Sequence, residues 1–130
     1  MTKQNVFLGD IDHFMSLIRN KAPVDEVMKQ MDTVQENASF TNFAVLQPYR
    51  KKVYEFCVAA ASTLKARGTE DDLHRAIGLL DKALGLREAS PKDCCFAATA
   101  LGDVYERLGN YTAAEQHYTK ALAYEPRAKT

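Results

Sequence analysis

The sequence predicts an all-α fold built from antiparallel helical hairpins. Apolar residues recur every three or four positions through most of the 130 residues, which is the spacing of one face of a helix. Proline and glycine stand where such stretches begin or end, as at Pro23, Gly68, Pro91 and Gly109. No stretch shows the sustained alternation of apolar and polar residues that is typical of a strand.

The first two predicted helices lie before residue 37. One runs from Asp10, whose carboxylate is suited to cap free backbone N–H groups, to Arg19. The other begins at Pro23, where a fixed φ and a missing N–H are harmless, and fades at Glu36. Their apolar stripes consist of Ile11, Phe14, Met15 and Ile18 in the first helix and Val24, Val27, Met28, Met31 and Val34 in the second.

A longer helix is predicted from Pro48 to Arg67, after a helical turn at 42–47. Gly68 ends it, because glycine adopts the left-handed conformation without a Cβ clash. Its predicted buried face consists of Tyr49, Val53, Phe56, Cys57, Ala60 and Leu64. The apolar residues just before it are expected to line the crossing with the first two helices; they are Phe40, Phe43 and Leu46.

Three further helices complete the pattern. Thr69 or Asp71 caps one that runs to about residue 87, and Pro91 opens the next, which runs to Leu108. The last spans about residues 111–124 and ends before Pro126. Its predicted inner face consists of Ala114, Tyr118, Ala121 and Leu122.

Residues 96–126 read FAATALGDVYERLGNYTAAEQHYTKALAYEP and resemble one complete tetratricopeptide repeat. The resemblance implies that Gly102 and Ala114 let two antiparallel helices approach closely and that Pro126 ends the second helix. The aromatic residue usual early in the first helix is replaced by Ala98. The positions that match the family pattern are Leu101, Gly102, Tyr105, Gly109, Tyr111, Ala114, Tyr118, Ala121 and Pro126.

The hairpin before this repeat is interpreted as a degenerate copy, because its second helix echoes the spacing of the later one. The echoing residues are Ala76, Leu80 and Ala83. The prediction is therefore a pair of hairpins similar to tetratricopeptide repeats over residues 48–130, forming a fragment of a right-handed α-solenoid. An N-terminal helical arm over residues 1–47 is expected to pack on them, because its short apolar helices need a partner.

Composition excludes several classes of function. Lys+Arg and Asp+Glu both number 17, so the net charge is zero, and a nucleic-acid binder that depends on phosphate contacts is not expected. No apolar run reaches the ~20 residues of a membrane span. A membrane role is expected only if a tail anchor lies beyond residue 130.

The three cysteines form a poor disulfide framework, since two of them are adjacent. They predict reduced thiols and a cytoplasmic protein, with the nucleus or the cytosolic face of an organelle left open. Within the repeat, Cys95 is expected to face the core and Cys94 the solvent.

The sequence offers no pattern typical of catalysis or of metal binding. The histidines His13, His74 and His117 are scattered, and the cysteines lack partners at the spacing of a zinc site. Nucleophile-elbow, zinc-protease and glycine-rich phosphate motifs are absent from the sequence. We therefore predict a protein that is not an enzyme and needs no cofactor.

Two clusters are candidate contacts for a partner. In repeats of this family the first helix lines a concave groove, and the resemblance places Phe96, Thr99, Asp103 and Glu106 there. An apolar or basic segment suits this set. The second cluster, which is either a solvated helix face or a contact for an acidic peptide or anionic lipid, consists of Arg50, Lys51 and Lys52.

Chaperone-binding members of the family clamp a C-terminal carboxylate with basic residues in this groove. Phe96 and Ala100 stand at the matching positions here, so binding of chaperone C-terminal tails is disfavoured.

The resemblance implies a protein-interaction module that serves as a scaffold or adaptor and binds a peptide or helix of its partner. Two alternatives stay open. One is the cytosolic domain of a tail-anchored adaptor for mitochondrial or peroxisomal fission, since two such hairpins behind a helical arm are similar to that layout. The other is an assembly domain that forms homo-oligomers through its C-terminal helix, because repeat arrays need polar caps.

Overall fold

Helices connected by short loops pack against one another along the chain. The computed structural model describes residues 3–88 and 90–128, and no strand occurs among them, which confirms the all-α prediction. The helices are α1 (Lys3–Arg19), α2 (Val24–Glu36), α3 (Ala38–Thr41), α4 (Phe43–Leu46), α5 (Arg50–Arg67), α6 (Glu70–Leu86), α7 (Pro91–Arg107) and α8 (Tyr111–Ala128). A 3-10 turn at Gln47–Tyr49 leads into α5.

Three hairpins, α1–α2, α5–α6 and α7–α8, organise the described residues. Because short loops join their members, the helices within each hairpin run antiparallel. Helix α6 also packs on α7, so the second and third hairpins stack, and α1 packs on α5. The result is a helical-repeat fold in which successive hairpins share one core.

The predicted end of α5 at Gly68 and the predicted starts of α6 after Thr69 and of α7 at Pro91 are confirmed. Gly68 adopts a φ of 75° after α5, and its N–H donates to the Leu64 carbonyl at 3.0 Å. The Thr69 hydroxyl accepts from the backbone N–H of Asp72 at 3.1 Å at the start of α6. The Ser90 hydroxyl accepts from the backbone N–H of Asp93 at 3.4 Å at the start of α7. These side chains satisfy N–H groups that a helix start leaves unpaired.

The predicted start of the first helix at Asp10 is wrong. Helix α1 begins at Lys3, so Asp10 lies inside it and does not cap it. Phe7 is buried and extends the apolar stripe of Ile11 and Phe14 by one turn. Burial of this side chain outweighs the cost of about 1 kcal/mol for Gly9 in a helix interior.

An aromatic cluster joins α1, α3 and α5. The ring centroids of Phe14 and Phe56 are 4.8 Å apart at 71°, and those of Phe40 and Phe56 are 5.9 Å apart at 81°. Phe7 lies 6.3 Å from Phe40. These edge-to-face contacts belong to the same buried cluster as the apolar residues of α6 and α7.

Basic side chains of α6 also hold the N-terminal segment. The Arg75 guanidinium pairs with Asp32 of α2 at 2.5 Å and donates to Gln35. The Lys82 ammonium donates to the Phe40 carbonyl at 3.2 Å and lies 4.7 Å from the centre of the Phe40 ring. These contacts support the proposed packing of the arm on the repeats, while the division of the chain at residue 47 stays a prediction.

Several side chains predicted to be buried are exposed. Tyr49 lies in the 3-10 turn rather than in α5 and is 36% exposed. The side chains of Val24 and Phe43 also face solvent, since each lies at the start of its helix, outside the stripe that meets the core. Leu122 is 64% exposed, because Ala121 beside it takes the inward position on α8.

The expected placement of the adjacent cysteines is also wrong. Cys94 is 2% exposed, whereas Cys95 is half-buried. The reason is helical phase: Cys94 precedes Ala98 and Leu101 by four and seven positions, which places it on the buried stripe of α7. Its thiol donates to the Arg87 carbonyl at 3.1 Å.

Helix α8 continues past Pro126 to Ala128, so the prediction that it ends before this proline is wrong. A proline removes one N–H donor from the backbone. Because Pro126 lies in the last turn of α8, the loss is one bond, the one that an N–H at this position would donate to the carbonyl four residues back.

Candidate functional site

A groove of ≈ 840 Å³ lies between α5 and α7. Val58 and Ala59 line it from α5, Phe96 and Ala100 line it from α7, and Met15 of α1 reaches it from the N-terminal segment. Most of its surface is therefore hydrocarbon, with polar side chains towards its edges. Concave apolar surfaces with a few polar groups are the usual form of binding sites.

The structure places three of the four predicted groove residues together. Phe96, Thr99 and Asp103 follow one another along α7 and all line the groove. Glu106, one turn further on, lies in an adjoining depression that also contains Lys65 and Arg107. That these residues bind a partner stays a prediction.

The carboxylates at this end of the groove converge on one hydroxyl group. The hydroxyl oxygen of Tyr118, on α8, lies 2.5 Å from Asp103 Oδ1 and 2.9 Å from Glu106 Oε2. The Lys65 ammonium of α5 lies 3.4 Å from Asp103 Oδ2. The hydrogen bond to Asp103 is the main reason why the pKa of Tyr118 is raised, with burial and Glu106 adding to it. Tyr118 therefore remains a protonated donor at neutral pH.

The opposite end of the groove is held by Asp93 of α7. Its carboxylate pairs with the Arg87 guanidinium at 2.7 Å, and its backbone carbonyl accepts from the Tyr54 hydroxyl at 3.2 Å. Burial, together with the Asp93 carboxylate, raises the pKa of Tyr54 to about 12. These bonds fix the start of α7 against α5 and α6 and so fix the width of the groove.

The side of the groove that α5 forms was not predicted from the sequence. The side chains of Val58, Ala59 and Ser62 line the groove beside the fully buried stripe of that helix. Their spacing of one and three positions places them on one helix face. No local signal in the sequence marks this face, because it lines the groove only when the α5–α6 and α7–α8 hairpins stack.

The structure separates the basic cluster of α5 from the groove. Arg50 and Lys51 are exposed at the start of α5, and neither is among the residues that line the groove. Lys52 pairs with Asp12 of α1 at 2.7 Å, which gives it a structural partner. A role for this cluster in binding an acidic partner stays a prediction.

The thiols and the acidic side chains form no metal-binding group in the described part of the chain. Burial raises the pKa of Cys57 to about 12, so this thiol is protonated and unreactive. Across residues 3–88 and 90–128, no three His, Cys, Asp or Glu side chains are grouped so that they could hold a metal ion. In the same residues, none of the helices has the length and apolar character needed to cross a bilayer.

Comparison with known proteins identifies the third hairpin. The family model described as a tetratricopeptide repeat matches residues 95–128, which include α7 except its first turn and the whole of α8. This confirms the resemblance predicted from the sequence for this segment. Curated proteins and solved structures gave no significant match. Proteins with this repeat generally bind other proteins and are generally not catalytic.

Proposed function

We propose that this chain, a helical-repeat protein with a tetratricopeptide repeat at residues 95–128, is a non-catalytic adaptor or scaffold module. Its groove between α5 and α7 takes a peptide or helix of a protein partner. The observation that carries the proposal is the apolar groove itself, which is lined by the first helices of two successive hairpins.

The exposure of Phe96 supports a protein partner. Its side chain is 58% exposed although it adjoins other apolar groove residues. A single exposed apolar residue is ordinary, but an apolar patch within a concavity is a feature of interaction sites. An aromatic side chain that gains full burial on binding contributes much of the affinity of such interfaces.

Self-association through α8 is a second candidate. Leu122 of this helix is 64% exposed and does not line the groove, so α8 presents an apolar side chain elsewhere on the surface. Sedimentation of the wild-type protein and of Leu122→Glu tests this candidate. A dimer that the substitution converts to a monomer supports it, and a wild-type monomer at all concentrations excludes it.

The groove is tested with peptides selected from a random library on the immobilised wild-type protein. We expect Phe96→Ala to weaken their binding by about tenfold or more, measured by fluorescence anisotropy. Phe43→Ala is the matched control, because Phe43 is also an exposed phenylalanine and lies outside the groove. The proposed function is contradicted if the library yields no binder. It is also contradicted if neither Phe96→Ala nor Phe43→Ala changes the affinity of the selected peptides.

A further inference from the structure

We propose that the partner segment presents an arginine or lysine about 10 Å from its apolar anchor, and that Asp103 and Glu106 bind this basic side chain. The inference rests on the proposed function, since it names the chemistry of the segment that occupies the groove.

The carboxylates around Tyr118 have too few hydrogen-bond donors. Its hydroxyl oxygen lies within hydrogen-bond distance of carboxylate oxygens of both Asp103 and Glu106. A phenol has one hydrogen and a carboxylate at neutral pH has none. Tyr118 can therefore donate to one carboxylate at a time, and the other contact brings together two oxygens without a hydrogen between them.

The nearby cations among the described residues do not supply the missing hydrogen-bond donor. Lys65 reaches Asp103, but at 3.4 Å and to a single oxygen. Arg107 donates to the backbone carbonyl of Lys65 at 3.2 Å and forms no ion pair with Glu106 among the described contacts. Glu106 is exposed, so a group of a partner can approach its carboxylate without displacing the fold.

A guanidinium or ammonium group supplies what the cluster lacks. Arginine brings five N–H donors in a planar fork, and lysine brings three donors, each with a full positive charge. An acidic side chain at the same place would add a further unpaired carboxylate to the two already present. Charge complementarity at this edge therefore favours a basic partner residue.

The spacing of Phe96 and Asp103 along α7 sets the spacing of the partner residues. Phe96 and Asp103 lie seven positions apart on α7 and both line the groove. Seven residues of helix span about 10 Å and return to nearly the same face. A partner helix lying along α7 contacts Phe96 and Asp103 with an apolar and a basic residue about seven positions apart. In an extended partner segment the two residues are about three positions apart.

The test uses a fluorescent peptide selected on the wild-type protein, together with versions of it in which the basic residue is replaced by Gln or Glu. We expect the Gln version to bind wild-type protein about tenfold more weakly and the Glu version more weakly still. The affinity of the basic peptide should also fall as NaCl is raised from about 0.05 M to about 0.5 M.

The protein variant for this test is Asp103→Asn combined with Glu106→Gln, because both amides preserve hydrogen bonding to Tyr118. It should lose about tenfold in affinity for the basic peptide and bind the Gln version like wild type. Glu115→Gln is the matched control, since Glu115 is exposed on α8 and does not line the groove. Helix content by circular dichroism shows that each variant is folded.

The outcomes separate this inference from the proposed function. The inference is overturned if the selected peptides require Phe96 but carry no basic residue. It is also overturned if the combined Asp103 and Glu106 substitution leaves their affinity unchanged. In both cases the groove remains the binding site. Peptides whose affinity is unchanged by Phe96→Ala overturn both the inference and the proposed function. A concentration-dependent dimer that is lost in Phe96→Ala identifies a second copy as the occupant and also overturns the inference.

Discussion

Gly102 shows how one residue sets the approach of two helices. A Cβ atom added to Gly102 would lie 2.5 Å from Cε1 of Tyr118, closer than carbon atoms pack. The Tyr118 ring is held by its hydroxyl contacts to Asp103 and Glu106, so it can move aside only by giving up those bonds. The same tyrosine therefore links the packing of the repeat to the carboxylates at the groove edge.

The first prediction follows from this contact. Gly102→Val should lower the free energy of unfolding by roughly 1–3 kcal/mol, as overpacking of a buried contact does. Gly78→Ala is the control, because a Cβ at that helical position would have no described atom within 4 Å outside its own stretch of helix, and alanine is favoured over glycine there by about 1 kcal/mol. Urea denaturation measures both. Equal effects of the two changes would contradict the packing role of Gly102.

His117 is a second residue whose surroundings have a measurable effect. Its ring stacks on Tyr105 with centroids 5.1 Å apart, and its buried Nδ1 has no hydrogen-bond partner among the described residues. Burial lowers the pKa of His117, nearby Lys120 lowers it further, and Asp81 of α6 opposes the shift. Burial raises the pKa of Asp81 itself, because the charged carboxylate is less well solvated there.

The second prediction is the resulting pH dependence. Because the pKa of folded His117 lies below its ordinary value of 6.5, the unfolded chain binds this proton more readily, and stability falls as the pH drops through about 6.5. His117→Gln should flatten this part of the profile of melting temperature against pH. His13→Gln, at an exposed position of α1, should leave it in place. Identical slopes for wild type and His117→Gln would show that His117 is not responsible.

At the scale of helices, the ends were predictable where a side chain or a glycine determines them locally. Gly68, Thr69 and Ser90 act through contacts within a few residues of sequence. The start of α1 was not predictable in this way. Phe7 is helical because it is buried against Phe40, a residue far along the chain.

The groove was predictable in part for the same reason. Its α7 side follows from the motif of a single repeat, so Phe96, Thr99 and Asp103 were identified from sequence. Its α5 side depends on how two hairpins stack, and neither Val58 nor Ala59 carries a local signal of that stacking. The contact of Tyr118 with Asp103 likewise joins two helices and has no signature in either one alone.

The third prediction concerns the contact between α7 and α8. Ala114 is buried, and the family pattern places it where the two helices touch. Ala114→Leu should lower the free energy of unfolding by roughly 1–3 kcal/mol, because the added carbons have no space between the helices. Ala123→Leu, at an exposed position of the same helix, should change it little. A melting temperature unchanged by Ala114→Leu would contradict the close approach.

At the scale of the whole molecule, the N-terminal segment and the repeats share apolar surface. Phe14 packs on Phe56, Arg75 and Lys82 hold α2 and α3, and Met15 reaches the groove. These contacts favour permanent packing of residues 1–47 over a lid that a partner displaces. Exposing the paired apolar surfaces would create a patch far larger than an isolated soluble domain usually presents.

The fourth prediction is the effect of deleting residues 1–47. We expect aggregation or a large loss of stability, because buried aromatic and aliphatic side chains of α5 and α6 would become exposed. Solubility and circular dichroism measure this directly. A soluble, fully helical remainder that binds the selected peptides more tightly would instead support a lid. A remainder unchanged in stability and in binding would contradict both roles.

Binding of a partner segment between α5 and α7 can be observed by mapping amide resonances by NMR while a selected peptide is added. We expect shifts concentrated on Val58, Ala59, Phe96, Thr99 and Ala100, which line the groove, with the Asp103 and Glu106 amides shifting where the basic end of the peptide binds. Shifts confined to the exposed face of α8 around Leu122, or to the basic start of α5, would contradict it.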